Sequence, residues 1–259
     1  MKQRIITAVI ALLALLFVLF YAPRELALGV IVVVMLAGAW EWSAFLGHSG
    51  SAARVAYVAI IAALLAAVTL LDVSAVRVFQ LALAWWLAAL GWIFFFPTPI
   101  PAVVRWISGA LVLVPLYLAM ILLYQAAQEL LLFALLIVWV ADTGAFFAGK
   151  FLGRVKLAPD ISPGKTWEGV IGGLAAVVVL VLLRTTWADT DLAVMIPFCL
   201  AVASLSIVGD LTVSMFKRTA GLKDSGSLFP GHGGVLDRID SISAAAPLFA
   251  LGVSWVGLS

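Results

Sequence analysis

Long apolar stretches separated by short polar breaks run along nearly the whole chain. A helix that crosses a lipid bilayer needs about 20 mostly apolar residues. The stretches between charged, Gly and Pro breaks predict nine such helices, at roughly residues 5–22, 26–46, 55–71, 76–96, 106–124, 129–148, 168–187, 191–212 and 241–257. The pattern therefore predicts an all-α polytopic integral membrane protein with about nine transmembrane helices, whose cytoplasmic polar loops form the functional site.

Composition supports a membrane protein and excludes several other classes. Hydrophobic residues make up 65% of the chain and charged residues 11%, whereas a soluble domain has about 25% charged residues. These values exclude a water-soluble enzyme and a disordered chain. The single cysteine, Cys199, lies in an apolar run, so we interpret it as a packed thiol and expect no intrachain disulfide.

The distribution of positive charge predicts the orientation in the membrane. With nine spans, twelve of the fifteen Lys and Arg residues fall on the side of the N-terminus, and only Arg24, Arg77 and Arg184 fall on the other side. Loops rich in Lys and Arg stay in the cytoplasm. We therefore expect a protein of the inner (plasma) membrane, with a cytoplasmic N-terminus and site and an outside C-terminus. The first apolar run is about as long as a full span, which favours a retained helix over a signal peptide.

Polar residues are concentrated in two stretches, 142–168 and 210–240, which carry just over half of all charged residues. Charges close to a bilayer are costly, so such clusters mark a functional site by default. We divide the chain into a hydrophobic transmembrane scaffold over 1–140, in which Glu41 and Glu129 are rare acids, and a catalytic transmembrane region with two cytoplasmic polar loops over 141–259.

The later polar stretch begins at the end of the eighth predicted helix. If that helix continues, Asp210, Ser214, Lys217 and Arg218 share one face, because they lie at i, i+4, i+7 and i+8. An acid, a hydroxyl and two cations on one face suit a metal-bound polyphosphate. The same pattern is typical of a solvated helix end with an internal Asp–Lys pair.

A segment rich in glycine follows and ends with two acids. Gly233 and Gly234 allow backbone amides to approach an anion closely. Asp237 and Asp240 lie three residues apart, so one helical turn would place both carboxylates on one side. Together with Asp210 they would supply three oxygen ligands for Mg²⁺. The alternative is that Asp237 and Asp240 cap the ninth helix. Both interpretations can hold at once.

The earlier polar stretch, 142–168, combines an acid with a phosphate-binding turn. Asp142 ends an otherwise uncharged run, so we expect it to face the site. Pro163 suits the first position of a helix, where Lys165 and free backbone amides would bind phosphate. The Gly-Lys-Thr at 164–166 is not a P-loop, because Pro159 occupies the position of the first glycine and no strand precedes it. The alternative is a solvated loop with a charged helix end.

Residues 214–240 read Ser-x-Phe-Lys-Arg, four residues, Lys-Asp-x-Gly, two residues, and Phe-Pro-x-His-Gly-Gly-Val-x-Asp-Arg-Ile-Asp. This pattern resembles the signature of the phosphatidate cytidylyltransferase (CDP-diacylglycerol synthase) family, and 142–168 resembles its second recurring block. The resemblance implies a nucleotidyltransferase of phospholipid biosynthesis that converts CTP and phosphatidate into CDP-diacylglycerol and pyrophosphate. It also implies Mg²⁺ as the cofactor, and a second cation is compatible with the same family.

The two polar stretches and the family resemblance together define a set of expected site residues. The expected catalytic residues are Asp210, Lys217, Arg218, Lys223, Asp224, His232, Asp237, Arg238 and Asp240. The expected metal ligands among them are Asp210, Asp237 and Asp240. The expected substrate-binding residues are Asp142, Ser162, Lys165, Thr166, Glu168, Ser214, Gly233 and Gly234. The expected partners are CTP, phosphatidate and the lipid bilayer, with a homodimer as the candidate assembly and no nucleic acid.

Two other classes of membrane protein handle related chemistry. A secondary transporter of an anionic substrate also has many spans and intramembrane carboxylates, but it usually has repeated halves and broken helices near the midplane. In this chain the charges collect at one face, which favours an interfacial enzyme. CDP-alcohol phosphotransferases require an aspartate-rich motif of their own, which the sequence lacks.

Overall fold

The computed structural model describes residues 2–47, 50–71, 73–188, 191–226, 233–253 and 255–256. Over these residues the chain forms nine α-helices, one short 3₁₀ helix and a two-stranded sheet. The helices are α1 Lys2–Phe20, α2 Arg24–Trp42, α3 Ser51–Leu70, α4 Ala75–Ile93, α5 Ala102–Ala126, α6 Gln128–Leu152, α7 Trp167–Arg184, α8 Leu192–Thr219 and α9 Leu236–Gly252. The 3₁₀ helix is Ser43–Leu46, directly after α2.

The helical membrane architecture predicted from the sequence is confirmed. Each predicted span overlaps one helix, and seven helices of the described chain, α2 to α8, are long and apolar enough to cross a membrane. The part of α1 whose side chains are described, Val9–Phe20, is apolar and covers part of the first predicted span, and α9 has 17 residues. The largest difference is in α8, which continues to Thr219 instead of ending near residue 212.

The segment between α6 and α7 forms an antiparallel hairpin that the sequence analysis did not predict. Strand β1 is Lys156–Ala158 and strand β2 is Ser162–Thr166, with Lys156 opposite Thr166. The prediction of a helix start at Pro163 is therefore wrong. Pro163 is tolerated because each strand of a two-stranded sheet has a free edge. The helix starts at Trp167, because the Thr166 side chain caps α7 by accepting the Gly169 N–H at 3.1 Å.

Helices α6 and α7 pack closely as an antiparallel pair because small residues face each other. A Cβ atom added to Gly172 would lie 2.2 Å from the Ala148 Cβ, and one added to Gly173 would lie 2.6 Å from the Ala141 carbonyl oxygen. Small residues allow helix backbones in membranes to approach in this way. The contact places Asp142, the residue after Ala141, beside α7.

Helices α8 and α9 cross where α8 has a glycine. A Cβ atom on Gly209 would lie 2.5 Å from the carbonyl oxygen of Asp240. The missing side chain therefore lets the α9 backbone rest directly on α8. Because Asp210 follows Gly209, the crossing brings one acid of each helix together.

The N-terminal part of the chain packs directly against this C-terminal core. The ring of Trp42, at the end of α2, lies 5.0 Å from that of Phe216 on α8, and the Trp92 ring of α4 lies 6.3 Å from Phe216. The indole N–H of Trp42 also donates to the Arg105 carbonyl at 2.9 Å. The division of the chain at residue 140 stays a prediction.

Candidate active site

The two polar stretches of the sequence meet at one ion pair. The Nζ atom of Lys165, on β2, lies 2.5 Å from Oδ2 of Asp210, on α8. About a quarter of each side chain is exposed, 26% and 25%. Charged hydrogen bonds of this kind are stronger than neutral ones. The pair therefore joins two segments that are 45 residues apart into a single site.

Further polar side chains surround Asp210. The Ser214 hydroxyl donates to its Oδ1 at 3.2 Å, one helical turn along α8. Asp142, on α6, lies beside the Ser241 side chain of α9 and interacts electrostatically with both Lys165 and Asp210. Three helices and the hairpin thus contribute to this cluster.

A cavity of about 510 Å³ lies beside the Lys165–Asp210 pair, between α6, α7, α8 and the hairpin. Ligand pockets commonly have volumes of about 300 to 1,000 Å³. Its lining contains both polar and apolar side chains. The polar residues include Asp142, Ser162, Lys165, Thr166 and Asp210, and the apolar ones include Phe146, Val170, Leu174 and Ile207. This lining suits an amphiphile with an anionic head.

A second lysine–aspartate cluster lies between α8 and α9 and is almost enclosed. The Lys217 Nζ lies 2.6 Å from Asp237 Oδ1 and 3.9 Å from Asp240 Oδ2. Only 7% of Lys217 and 7% of Asp240 are exposed. A buried cation requires such partners to offset its lost hydration. Lys217 accordingly pairs with the carboxylates of α9. It is not among the residues that line the cavity.

Asp237 also holds the glycine-rich segment in place. Its Oδ2 accepts the backbone N–H groups of Ser225 and Gly234, each at 2.9 Å. Gly233 has a φ of 81°, and a Cβ atom there would lie 2.5 Å from Asp237 Oδ2, so only glycine fits. Asp237 thus lies in the first turn of α9, where a carboxylate is favourable, but its hydrogen bonds go to N–H groups that precede the helix.

The three expected metal ligands, Asp210, Asp237 and Asp240, all have protein partners in this structure. Among the described residues, no three His, Cys, Asp or Glu side chains come together closely enough to hold a metal ion. Asp237 is occupied by Lys217 and two backbone N–H groups. Asp210 is paired with Lys165 and Ser214, and Asp240 with Lys217 and the Ser241 N–H. The two acids interact electrostatically across the α8–α9 crossing. Mg²⁺ commonly takes one or two protein carboxylates and completes its shell with water and substrate phosphate, so this donor pair fits such an ion.

Two expected site residues bind backbone atoms instead of facing the cavity. Arg218 donates from Nε to the Ile161 carbonyl at 3.1 Å and from Nη1 to the Leu222 carbonyl at 3.2 Å. It therefore ties the hairpin turn to the end of α8. The Glu168 carboxylate accepts the N–H groups of Arg154 and Val155 at 3.0 and 3.2 Å. This contact ties the start of α7 to the linker between α6 and β1.

The other expected residues occupy several environments. Lys223, Asp224 and Arg238 are exposed, and Arg238 interacts electrostatically with Asp142. The prediction for His232 falls outside the described residues. No internal Asp–Lys hydrogen bond forms within the described α8, because Asp210 pairs with Lys165 and Lys217 pairs with Asp237.

One residue of this region, Glu41 of α2, is not among the site residues expected from the sequence. Its carboxylate is 8% exposed and accepts hydrogen bonds from Ser225, Val235 and Leu236. The signal that could have identified it is an acid inside a long apolar run, which is costly unless it has partners.

The fold and the site define a polytopic membrane protein with a carboxylate–lysine centre beside an amphipathic cavity. Residues 2–256 match the model of the cytidylyltransferase family, and the chain belongs to this family.

Similar proteins cover nearly the whole chain. It is 44% identical to a phosphatidate cytidylyltransferase of Pseudomonas aeruginosa over 262 residues, 96% of each protein. It is 35% identical to a phosphatidate cytidylyltransferase of Haemophilus influenzae over 281 residues, 96% of this chain and 97% of that protein. A phosphatidate cytidylyltransferase of Staphylococcus aureus is 46% identical over 120 residues, 46% of each chain.

Proposed function

We propose that this protein is a phosphatidate cytidylyltransferase, which converts CTP and phosphatidate into CDP-diacylglycerol and pyrophosphate. The observation that carries the proposal is the Lys165–Asp210 pair at the polar part of the amphipathic cavity. A phosphate group can approach the lysine while acyl chains follow the apolar wall. Membership of the cytidylyltransferase family and the names of the similar proteins support the same activity. Nothing among them favours a transporter.

In the reaction, a phosphate oxygen of phosphatidate attacks the α-phosphorus of CTP. A new P–O bond forms, the bond between the α-phosphorus and the oxygen that bridges to the β-phosphorus breaks, and its electron pair leaves with pyrophosphate. The attacking group is already anionic, so no covalent nucleophile of the protein is needed. Catalysis then depends on positioning and on neutralising the charges that meet.

The cavity residues have different roles in this reaction. Lys165 neutralises phosphate charge, because its partly exposed ammonium group lies at the cavity surface. Ser162 and Thr166, on the same strand, add polar groups beside it. Phe146, Val170 and Leu174 provide apolar surface for acyl chains.

We propose Mg²⁺ as the cofactor, held by Asp210 and Asp240. When bound, it would screen the phosphate charges and stabilise the departing pyrophosphate. Asp237 would act indirectly, because it holds Lys217 and the glycine-rich segment next to Asp240. A second cation near the same carboxylates and a homodimeric assembly stay predictions.

The activity is tested with radiolabelled CTP in vesicles that contain the purified protein. We expect label to enter lipid only when phosphatidate and Mg²⁺ are both present, and to stop entering when a chelator is added. A transporter would move its substrate without forming labelled lipid. Absence of CDP-diacylglycerol under all these conditions would contradict the proposed function.

We also propose that the site faces the cytoplasm at the inner membrane, as the distribution of Lys and Arg predicts. Gly164, an exposed residue in the middle of β2, has open space where a Cβ atom would lie. A Gly164→Cys variant in a Cys199→Ala background should be protected from an impermeant thiol reagent in intact cells and labelled after lysis. Labelling in intact cells would reverse the orientation.

A further inference from the structure

Glu41 lies far in sequence from both polar stretches but contacts the segment that carries the site acids. It is the penultimate residue of α2, within the predicted hydrophobic scaffold. Its Oε2 accepts the Ser225 hydroxyl at 2.7 Å and the Leu236 N–H at 2.8 Å, and its Oε1 accepts the Val235 N–H at 2.9 Å. A carboxylate at 8% exposure is thereby satisfied by neutral donors and by the positive end of the α9 dipole.

The glycine-rich segment is shaped to fit this carboxylate from two sides. A Cβ atom on Gly226 would lie 2.4 Å from Glu41 Oε1, and one on Gly234 would lie 2.2 Å from Oε2. Any side chain at either position would collide with the carboxylate. The chain on both sides of residues 227–232 therefore converges on Glu41.

The contact supplies a cap that α9 itself does not have. The first N–H groups of a helix need acceptors, and the N-cap residue of α9, Val235, makes no side-chain capping hydrogen bond. Glu41 accepts two N–H groups at the start of α9 from a different helix. Asp237 lies in the first turn of α9 and Asp240 lies three residues later, so the position of Glu41 sets where the helix that carries both acids begins.

We propose that Glu41 is a positioning residue for cytidylyl transfer, which rests on the function proposed above. It does not touch the reacting atoms. It holds the glycine-rich segment and the start of α9 so that Asp240 stays opposite Asp210 and Asp237 stays on Lys217. Losing it would displace the acidic centre while leaving Lys165 and the cavity in place.

The primary test is Glu41→Gln in the full-length protein. Whichever way the amide turns, its NH₂ group replaces an oxygen that accepts from Val235 or from Ser225 and Leu236, so an α9 N–H loses its acceptor. We expect kcat to fall by about tenfold or more, because small displacements of catalytic groups are costly. The Mg²⁺ concentration for half-maximal rate should rise several-fold, while KM for phosphatidate changes by no more than about threefold.

A matched control and a second readout separate positioning from general stability. Glu25→Gln makes the same chemical change on the same helix, at an exposed residue, and should leave kcat and the Mg²⁺ requirement unchanged. Hydrogen exchange of the metal-free protein should show faster exchange at Val235 and Leu236 in Glu41→Gln. This second measurement does not depend on catalysis, so it judges the positioning role even if the proposed activity fails.

Folded Glu41→Gln protein with wild-type kcat and wild-type Mg²⁺ requirement would overturn the proposal. A lower kcat with an unchanged Mg²⁺ requirement and unchanged exchange at α9 would also overturn it. If Glu41→Gln does not fold, Ser225→Ala decides, since it removes one donor and keeps both N–H contacts. It should raise the Mg²⁺ requirement in the same direction by a smaller factor, and no change would reject the positioning role.

Discussion

Two lysine–aspartate pairs within the same helical core differ in how much water reaches them. Lys165 and Asp210 are each about one quarter exposed and line the cavity, whereas the Lys217 and Asp237 side chains are only 8% and 9% exposed. The distances within the pairs, 2.5 and 2.6 Å, are nearly the same. The comparison teaches that residue type and pairing do not define the role of a charge. Lys165 can therefore exchange Asp210 for a substrate phosphate, whereas the enclosed Lys217 cannot exchange its carboxylate partner.

The largest expected effect is on stability, at the enclosed pair. Lys217→Met would leave Asp237 and Asp240 buried without their cation, and breaking a buried pair costs about 3–5 kcal/mol. We expect a clearly lower Tm in a thermal unfolding assay in detergent, together with lost activity. A wild-type Tm with lost activity would instead place Lys217 at the substrate.

Asp210→Asn should separate activity from folding at the exposed pair. It removes a proposed metal carboxylate and the partner of Lys165 but keeps the shape of the side chain. We expect the rate of CDP-diacylglycerol formation to fall by about 100-fold or more, with a Tm close to that of wild type. Near-normal turnover with unchanged Mg²⁺ dependence would contradict the metal assignment.

Lys165→Met should reduce kcat/KM by about tenfold, a loss of about 1.4 kcal/mol in transition-state stabilisation. The matched control is Lys156→Met, which removes the same charge from an exposed position on the other strand of the hairpin and should stay within about threefold of wild type. Equal and small effects at the two positions would leave the chemistry to residues 210–240 alone.

The smallest effect is expected at Ser214, whose hydroxyl donates to Asp210 at 3.2 Å. A single hydrogen bond contributes about 0.5–1.5 kcal/mol, so Ser214→Ala should lower kcat/KM by roughly two- to tenfold. The same steady-state assay measures it. A loss as large as that of Asp210→Asn would show that the hydroxyl itself binds substrate.

Hydropathy predicted the helices well, because a bilayer requires long apolar runs with internally satisfied backbones. It placed the end of α8 too early, since residues 213–219 include polar side chains. These are accommodated because α9 packs on them and Asp237 neutralises Lys217. The hairpin at 156–166 was missed because a Pro-Gly pair suggests a turn or a helix start more readily than a strand.

The chemistry of the site was predictable as a set of residue types but not as pairs. Helical spacing placed Asp210 and Lys217 on one face, yet their hydrogen-bonding partners come from β2 and α9. Those partners depend on the close α8–α9 crossing at Gly209, which no local pattern encodes. Glu41 was missed for the same reason, because its donors lie 184 to 195 residues further along the chain.

The contact between the rings of Trp42 and Phe216 has a consequence for exchanging parts between related proteins. The end of α2 meets α8 through these fully buried rings and meets α9 through the adjacent Glu41. A chimera cut near residue 140 would separate α2 from both partners, although the cut falls outside every charged motif. Such a hybrid should assemble only when α2 is taken from the same parent as α8 and α9. The part that can be exchanged between relatives is therefore a set of helices in contact and not a continuous length of sequence.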